Sequence, residues 1–522
     1  MLVQADSLPD GSEVDCDLCI IGAGAAGITI AHSLRDSGIK IVLLDSGLES
    51  LDAQAQDLYS GSNIGLDYWP LDSVRLRMFG GSTNHWEGSC NDFDEIDFVD
   101  RPWVKHGGWP LTKTELVPFY KRAVNYVQLG PYDFSLRSWS KRLKITLPDW
   151  FGDQLIGNVT QHSPPTRFAE VYGPSLRAAA NVRVVLGATA LRFEMNESRT
   201  LGERIEVARF DKPPMYVRAR RFVLATGGIE NARFLLLNNL GNASGAVGRY
   251  FMEHPYFRPM LLAPSPTFLR FIKEWQKSRD RGVRVSPSIQ FARTTLWQHQ
   301  FQNCRIAFEP TDRFTASAGI ESFHDIGSGE VKSTDELLYH IGNLLLDVDM
   351  VAEATSRQEF GSGFLTKATE FSGFTIGCMT EQLPNPDSRV LLSNSKDRFG
   401  QRRVAVDLRL TDEDRLGAGR FVKAMSESFG RVGIGRVRVL VPERFEHWPP
   451  RIISYGSHHM GTTRMSNNPK TGVVDTNLRL HQAGNIFVAG SSVFPTGGHV
   501  PPTLTIVALA LRLSDHLKAT AP

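Results

Sequence analysis

The segment Gly22-x-Gly24-x-x-Gly27 narrows the possible folds of this chain more than any other feature. It lies between an apolar run at 18–21, which reads as a buried strand, and a stretch at 26–34 with helical spacing that Gly38 stops. A second apolar run, 39–44, ends at Asp45. Strand, tight turn, helix and strand make one βαβ unit. Gly22 permits the turn, Gly24 lets backbone N–H groups approach a pyrophosphate, and Gly27 lets the helix pack closely on the strand. Ala25 and Ala26 open the helix, whose N-terminus attracts phosphate charge. Asp45, with Ser46 beside it, stands where a ribose hydroxyl would be bound. Glycines, strand, helix and acid in this order predict dinucleotide binding.

The chain has 522 residues, too many for one hydrophobic core, so two domains are expected, woven through each other. From 181 to 225 the pattern is β throughout and reads as a meander returning to a parallel strand at 222–225, followed by Thr226-Gly227-Gly228 and a helix. The middle, 255–441, is less regular. It includes a basic amphipathic segment, 268–281, read as a solvated helical face or lid, with a membrane-surface helix as the alternative. An apolar helix follows Pro501-Pro502, proline being favoured at a helix start. Lys+Arg at 58 against Asp+Glu at 56 gives no general attraction to nucleic acid or to an anionic membrane. No run approaches the ~20 apolar residues of a membrane span, and the first residues show no secretory pattern, so a cytoplasmic location is expected. Cys16 and Cys19 form a C-x-x-C, but they flank the first strand and read as small packing residues rather than a redox pair.

The first βαβ unit near residue 20, the returning meander and the lack of a second G-x-G-x-x-G in a βαβ setting resemble an FAD-binding fold of the glutathione-reductase type. Electrons would then arrive from the substrate. Further segments resemble the glucose–methanol–choline (GMC) oxidoreductase family: GGSTNHW (80–86), ATGGIENARFLL (225–236), GRYFMEHP (248–255), HHMGT (458–462), GVVD (472–475), NIFVAGSSVFPTGG (485–498) and HVPPTLT (499–505). Within the family the likeness is greatest to the bacterial branch of pyranose oxidases and glycoside 3-oxidases. The resemblance implies an α/β FAD-binding, Rossmann-like domain interleaved with an α+β substrate domain on an antiparallel sheet. The expected segments are 1–130, 176–255 and 446–522 for the FAD domain, 131–175 for a substrate-domain or lid piece, and 256–445 for the substrate domain.

The same resemblance carries over site residues. Gly81, Ser82, Asn84, His85, Ala190, Thr226, Gly227, Gly490, Pro501 and Thr503 would contact FAD. His85 occupies the H-W position that in some pyranose oxidases is bonded to the flavin; with Asn84 in place of the usual threonine, non-covalent contact is the expectation here. His458 matches the family's general base, and histidine suits that task because its pKa lies near neutrality. His459 is the competing neighbour. The family's second partner, histidine or asparagine, falls on Pro501, which has no side-chain donor, so His499 is the candidate replacement. Gln382, in EQLPNP, is a candidate substrate contact, a structural turn being the alternative. Trp275 and Trp297 are candidate stacking surfaces for a sugar ring, surface or core placement being the alternative.

The expected reaction is oxidation of a secondary CH–OH on a small-molecule sugar, glycoside or polyol, with electrons passing to O2 or a quinone-like acceptor. The departure at Pro501 keeps a second reading open, an FAD-containing lyase. A binding module without chemistry is a third. No metal-ligand spacing surrounds His458 and His459, so no metal is expected.

Overall fold

The computed structural model describes residues 1–278, 282–311, 318–327, 329, 331, 333–348, 351–352, 373–440 and 454–521. Its strands are numbered in chain order. One eight-stranded sheet holds β1 (Leu2–Gln4), β2 (Glu13–Ile21), β3 (Ile41–Asp45), β7 (Val182–Leu186), β8 (Thr189–Met195), β9 (Gly202–Arg209), β10 (Lys212–Leu224) and β19 (Ile486–Val488). Its order is β1-β7-β3-β2-β10-β9-β8, with β19 added beside β10. The strands from β1 to β10 along that order, and β19, run parallel, whereas β8 and β9 are antiparallel. The last strand of the expected meander and the returning strand are thus one long element: β10 pairs with β9 over its first half and with β2 and β19 over its second. The βαβ reading holds, with the helix at Ala25–Ser33.

A second sheet is antiparallel throughout, in the order β17-β11-β14-β13-β12-β6-β5 with β18 beside β11. Its strands are β5 (Ser89–Cys90), β6 (Leu155–His162), β11 (Pro255–Pro264), β12 (Arg284–Phe291), β13 (Cys304–Thr311), β14 (Gly373–Thr380), β17 (Gly435–Val439) and β18 (Ser454–Tyr455). A small sheet joins β15 (Arg389–Lys396), β16 (Arg402–Asp407) and β4 (Gly61–Asn63).

Each large sheet has its own apolar core, one around Ile20, Leu43, Val223 and Leu509, the other around Trp139, Phe268, Ile376 and Phe421. The helix Thr503–Ala519 packs on the helices Ala25–Ser33 and Lys113–Tyr126, and its buried residues, from Leu504 to Leu517, surround its axis. The segment read as a lid or membrane-surface helix is the helix Pro266–Lys277, capped by Ser265 and closed by Pro266 at its first turn. Phe268, Phe271, Ile272 and Trp275 are buried in the second core, which leaves no apolar face for a membrane. Residues 279–281 of that segment, and the expected boundary at 445/446, lie outside the described residues. Cys19 is buried and Cys16 half-buried, its thiol pushed up to about 12 chiefly by burial, in keeping with packing rather than redox exchange.

Candidate active site

A cavity of about 900 Å³ opens between the two large sheets. At one end its walls are the glycine turn and the ends of β2, β3 and β10. Gly22, Gly24, Ala25, Ala26, Asp45, Ser46, Gly81, Ser82, His85, Ala190, Thr226, Gly227, Gly490, Pro501 and Thr503 all line it. Gly22 has φ +103°, and a Cβ there would lie 2.6 Å from the Ala225 carbonyl oxygen, so only glycine fits. A Cβ on Gly24 or Gly227 would meet nothing within 4 Å, so both leave their backbone open to the cavity. Asp45 receives the Ala23 and Gly47 N–H groups, each at 2.8 Å, which fixes the turn against the end of β3. Burial raises its carboxyl above the usual range, and the two N–H donors oppose that shift. Asn231 accepts from Thr226 and donates to the Ala489 carbonyl and Ser492, clamping the 226–227 turn to the 490 turn.

Sequence reasoning missed a buried charged group at this end. Glu230 meets Arg75 (2.9 Å), Arg77 (3.1 Å) and Arg233 (3.2 Å), and Arg233 also meets Asp397 at 2.6 Å. Burial works to raise Glu230, but the three guanidiniums hold it down to about 2. Arg77 also donates to Ser46. The only local signal was the i, i+3 pair Glu230 and Arg233; the other members come from distant stretches of chain.

At the other end lies His458, on the loop after β18. Its Nδ1 is 2.8 Å from Nδ1 of His254, which directly precedes β11. His254 Nε2 is 3.0 Å from the Gly497 carbonyl oxygen. A carbonyl can only accept, so the His254 proton sits on Nε2 and its Nδ1 is an acceptor. His458 must then donate from Nδ1, which leaves the Nε2 lone pair without a proton. Burial pushes His254 down to about 4, and burial followed by the charges of His254, His459 and Arg305 pushes His458 well below its ordinary value, so both rings are neutral at pH 7. A Cβ at Gly456 would collide with His458 Nδ1, so glycine there sets the ring's place.

His459 also lines the cavity, but its Nε2 is 2.9 Å from the Tyr68 hydroxyl, which itself donates to Glu253. That hydroxyl can therefore only accept from His459, whose Nε2 carries the proton and is no base. Burial raises the Glu253 carboxyl to about 7, opposed by its Tyr68 bond and by the backbone N–H groups of His458, His254 and Gly456.

Several expectations are corrected. His499 does not line the cavity: its ring is buried, with Nδ1 3.7 Å from Asp94 and unpartnered, and the group bonded to His458 is His254. Gln382 is fully buried; its oxygen accepts from the Glu253 N–H and its amide donates to the Arg409 carbonyl, so it is structural. Asn84 turns its amide inward to the Phe79 and Gly81 carbonyls. Gly27 keeps the packing role expected of it, since a Cβ there would collide with the Gly22 carbonyl oxygen, and it does not line the cavity. Trp275 is core, and Trp297, 44% exposed, packs edge-on against Trp103. Asp94, Asp97 and His499 bring metal-ligand atom types within 4.8 Å, a cluster that no spacing announced. The Asn303 amide donates to both carboxylates at 3.0 Å, and burial, with Asp94 and Glu381 nearby, raises Asp97 to about 8. The Asn303 amide thus bridges the two acids.

Residues 384–510 match the family model described as GMC oxidoreductase. Over 96% of its length the chain is 24% identical to 6'''-hydroxyparomomycin C oxidase of Streptomyces lividus, covering 92% of that protein. It is 22% identical to the fructose dehydrogenase large subunit of Gluconobacter japonicus, with 96% and 97% of the two chains covered. Over 24% of its length it is 30% identical to the C-glycoside 3-oxidase of Arthrobacter globiformis, covering 23% of that protein. Among solved structures, pyridoxine 4-oxidase from Mesorbium loti superposes with a TM-score of 0.53 at 18% identity, covering 96% of this chain and 99% of that one. Formate oxidase gives 0.56 at 18% identity, covering 98% and 99%. The matched segment contains the His458 loop and the helix start at the cavity, so residues 384–510 are those of a GMC oxidoreductase C-terminal domain, and along its length the chain is similar to the oxidases and dehydrogenase named above.

Proposed function

We propose that the protein is an FAD-dependent oxidoreductase that oxidises a secondary alcohol of a sugar, glycoside or polyol, with His458 as general base. The observation that carries this reading is the unprotonated His458 Nε2 at one end of a cavity whose other end is a glycine-lined nucleotide cradle. FAD fits that cradle: Gly24 and Gly227 leave room for it, Asp45 and Ser46 stand at its ribose end, and Ala190, Gly490, Pro501 and Thr503 wall the rest. When bound, FAD would supply the two-electron acceptor for the hydride, at flavin N5. His458 takes the hydroxyl proton as the C–H bond breaks, so that a neutral carbonyl compound forms. His254 holds the His458 ring in the tautomer that can do this and, through Gly497, is itself held in register. The helix Thr503–Ala519 starts at the cavity wall and brings about half a positive charge there, which favours negative charge at that end. The relatives named as a hydroxyparomomycin oxidase, a fructose dehydrogenase and a glycoside 3-oxidase support the sugar or glycoside class.

The test is anaerobic mixing of the holoprotein with a panel of sugars, glycosides and simple alcohols while following the flavin absorbance. Bleaching by one class, lost in His458→Ala, is the expected result, and peroxide formed on admitting air would mark O2 as the acceptor. Turnover of a substrate while the flavin stays oxidised would overturn the redox reading in favour of a lyase.

A further inference from the structure

The floor of the cavity beside His458 is the second sheet. Across it Tyr256 of β11, Met379 of β14 and Arg305 of β13 lie in one row, and all three line the cavity. Further along, Glu309 of β13 accepts from the Tyr256 hydroxyl and pairs with Arg258 at 2.6 Å. Tyr256 reaches Glu309 across Gly377, where a Cβ would collide with its hydroxyl. That part of the floor is neutral within itself. Ala307, between Arg305 and Glu309 on the same strand face, leaves a dip between them.

Arg305 is different. It is 9% exposed, and its Nη1 donates to two neutral oxygens, Asn91 Oδ1 at 3.1 Å and Thr160 Oγ1 at 2.6 Å. Among the described residues Nη2 has only the Met379 thioether, at 3.8 Å, and Nε has no hydrogen-bond partner. Among the described residues no carboxylate stands within ion-pair distance of it. Arg75, Arg77, Arg101, Arg209 and Arg233 are as deeply buried, and each faces a carboxylate. Arg464, the remaining buried arginine, stacks on Tyr250 and donates to the His106 carbonyl, outside the cavity. A buried cation without a counter-charge costs several kcal/mol. Here that cost falls on a residue of the wall that His458 shares.

The two nitrogens without an oxygen partner, Nε and Nη2, form one edge of the guanidinium, the edge that takes a carboxylate through two parallel bonds. The sulfur covering that edge belongs to an unbranched side chain that can swing aside. We propose that Arg305 is the anchor for a carboxylate on the substrate, so that the compound oxidised at His458 is a sugar acid or hydroxy acid rather than a neutral sugar. This rests on the alcohol-oxidation reading and narrows it. One guanidinium is neutralised by one monoanion. A dianionic phosphate would be left with excess charge, because the neighbouring Arg258 is already paired with Glu309.

The test is calorimetric titration of the oxidised holoprotein with glucuronate, glucose and acetate, in the wild type and in Arg305→Gln, Arg305→Lys and His458→Ala. Glucuronate should bind the wild type at least about 30-fold more tightly than glucose, the scale set by a buried charge pair losing one partner. Acetate, which carries no alcohol, should compete with it. Arg305→Gln should remove that preference, bringing the ratio of the two affinities close to one, while Arg305→Lys, which keeps the charge without the fork, should retain only part of it. Equal binding of glucuronate and glucose to the wild type, with no competition by acetate, overturns the proposal, and this arm needs no variant to fold. His458→Ala separates the two readings. If it binds glucuronate normally but its flavin is no longer bleached, both stand. If neutral alcohols bleach the wild type and glucuronate does not bind, the base assignment survives and the anion anchor falls.

Discussion

The contact between His254 and His458 allows a quantitative test of how the base is held. In His254→Leu the His458 Nδ1–H, now bonded at 2.8 Å, loses its acceptor. A net hydrogen bond is worth about 1–1.5 kcal/mol, and the His254 ring itself is fully buried. If that energy holds the productive tautomer and ring orientation, its loss slows the chemical step about tenfold. His254→Asn, whose side-chain oxygen can accept, should recover part of the rate. The assay is single-turnover anaerobic flavin reduction at saturating substrate, with flavin content and thermal midpoint measured alongside to show that each variant is folded and loaded. A folded, flavin-loaded Leu variant that reduces its flavin as fast as the wild type would refute the argument that His254 sets the state of His458.

Gly456→Ala should slow flavin reduction by at least about tenfold with unchanged FAD content, because the added Cβ collides with the His458 ring and not with the nucleotide cradle. The rate of flavin reduction should rise with pH on a limb below 6.5 and be flat above it: only neutral His458 accepts a proton, and burial lowers its pKa from 6.5. A limb centred above 6.5 in stopped-flow traces would contradict the buried, neutral assignment. Arg101→Met should destabilise the protein by about 3–5 kcal/mol in a denaturant titration, because it leaves Glu381, 1% exposed, unpaired near the Asp97 carboxyl.

The nucleotide cradle was legible because its physics is local. Gly22 and Gly24, with Asp45 at the next strand end, state their tasks within one βαβ unit. His458, the proposed base, was picked out by its motif, but the ring it bonds to was not. His254 stands in the GRYFMEHP segment, and no local pattern says that its ring will meet a residue 204 positions away. His499 and Gln382 were misread for a related reason: a polar side chain beside a motif can satisfy the protein as easily as the substrate, and their hydrogen bonds decide which. Arg305, Ala307 and Glu309 alternate with Ile306 and Phe308, a period that ordinarily sets a polar face toward solvent. Here the polar face looks into the cavity, which is a property of how the two sheets are apposed and not of the strand.

Strand β10 has a kinetic meaning. Its C-terminal half is flanked by β2 on one side and by β19 on the other, so Phe222 pairs with both Cys19 and Ile486. A ribosome releases β2 and β10 early, then β11 to β14, β17 and β18 of the second sheet, before residues 486–488 can fill the remaining slot. Until they arrive, the edge of β10 is bare, and the cradle lacks the walls supplied by Gly490, Pro501 and Thr503. Pairings this distant in sequence are slow to close and leave intermediates with open strand edges. The protein therefore completes its proposed nucleotide site as one of the last acts of folding, and a chain halted at β14 has its opening βαβ unit but not the cavity walls that follow it.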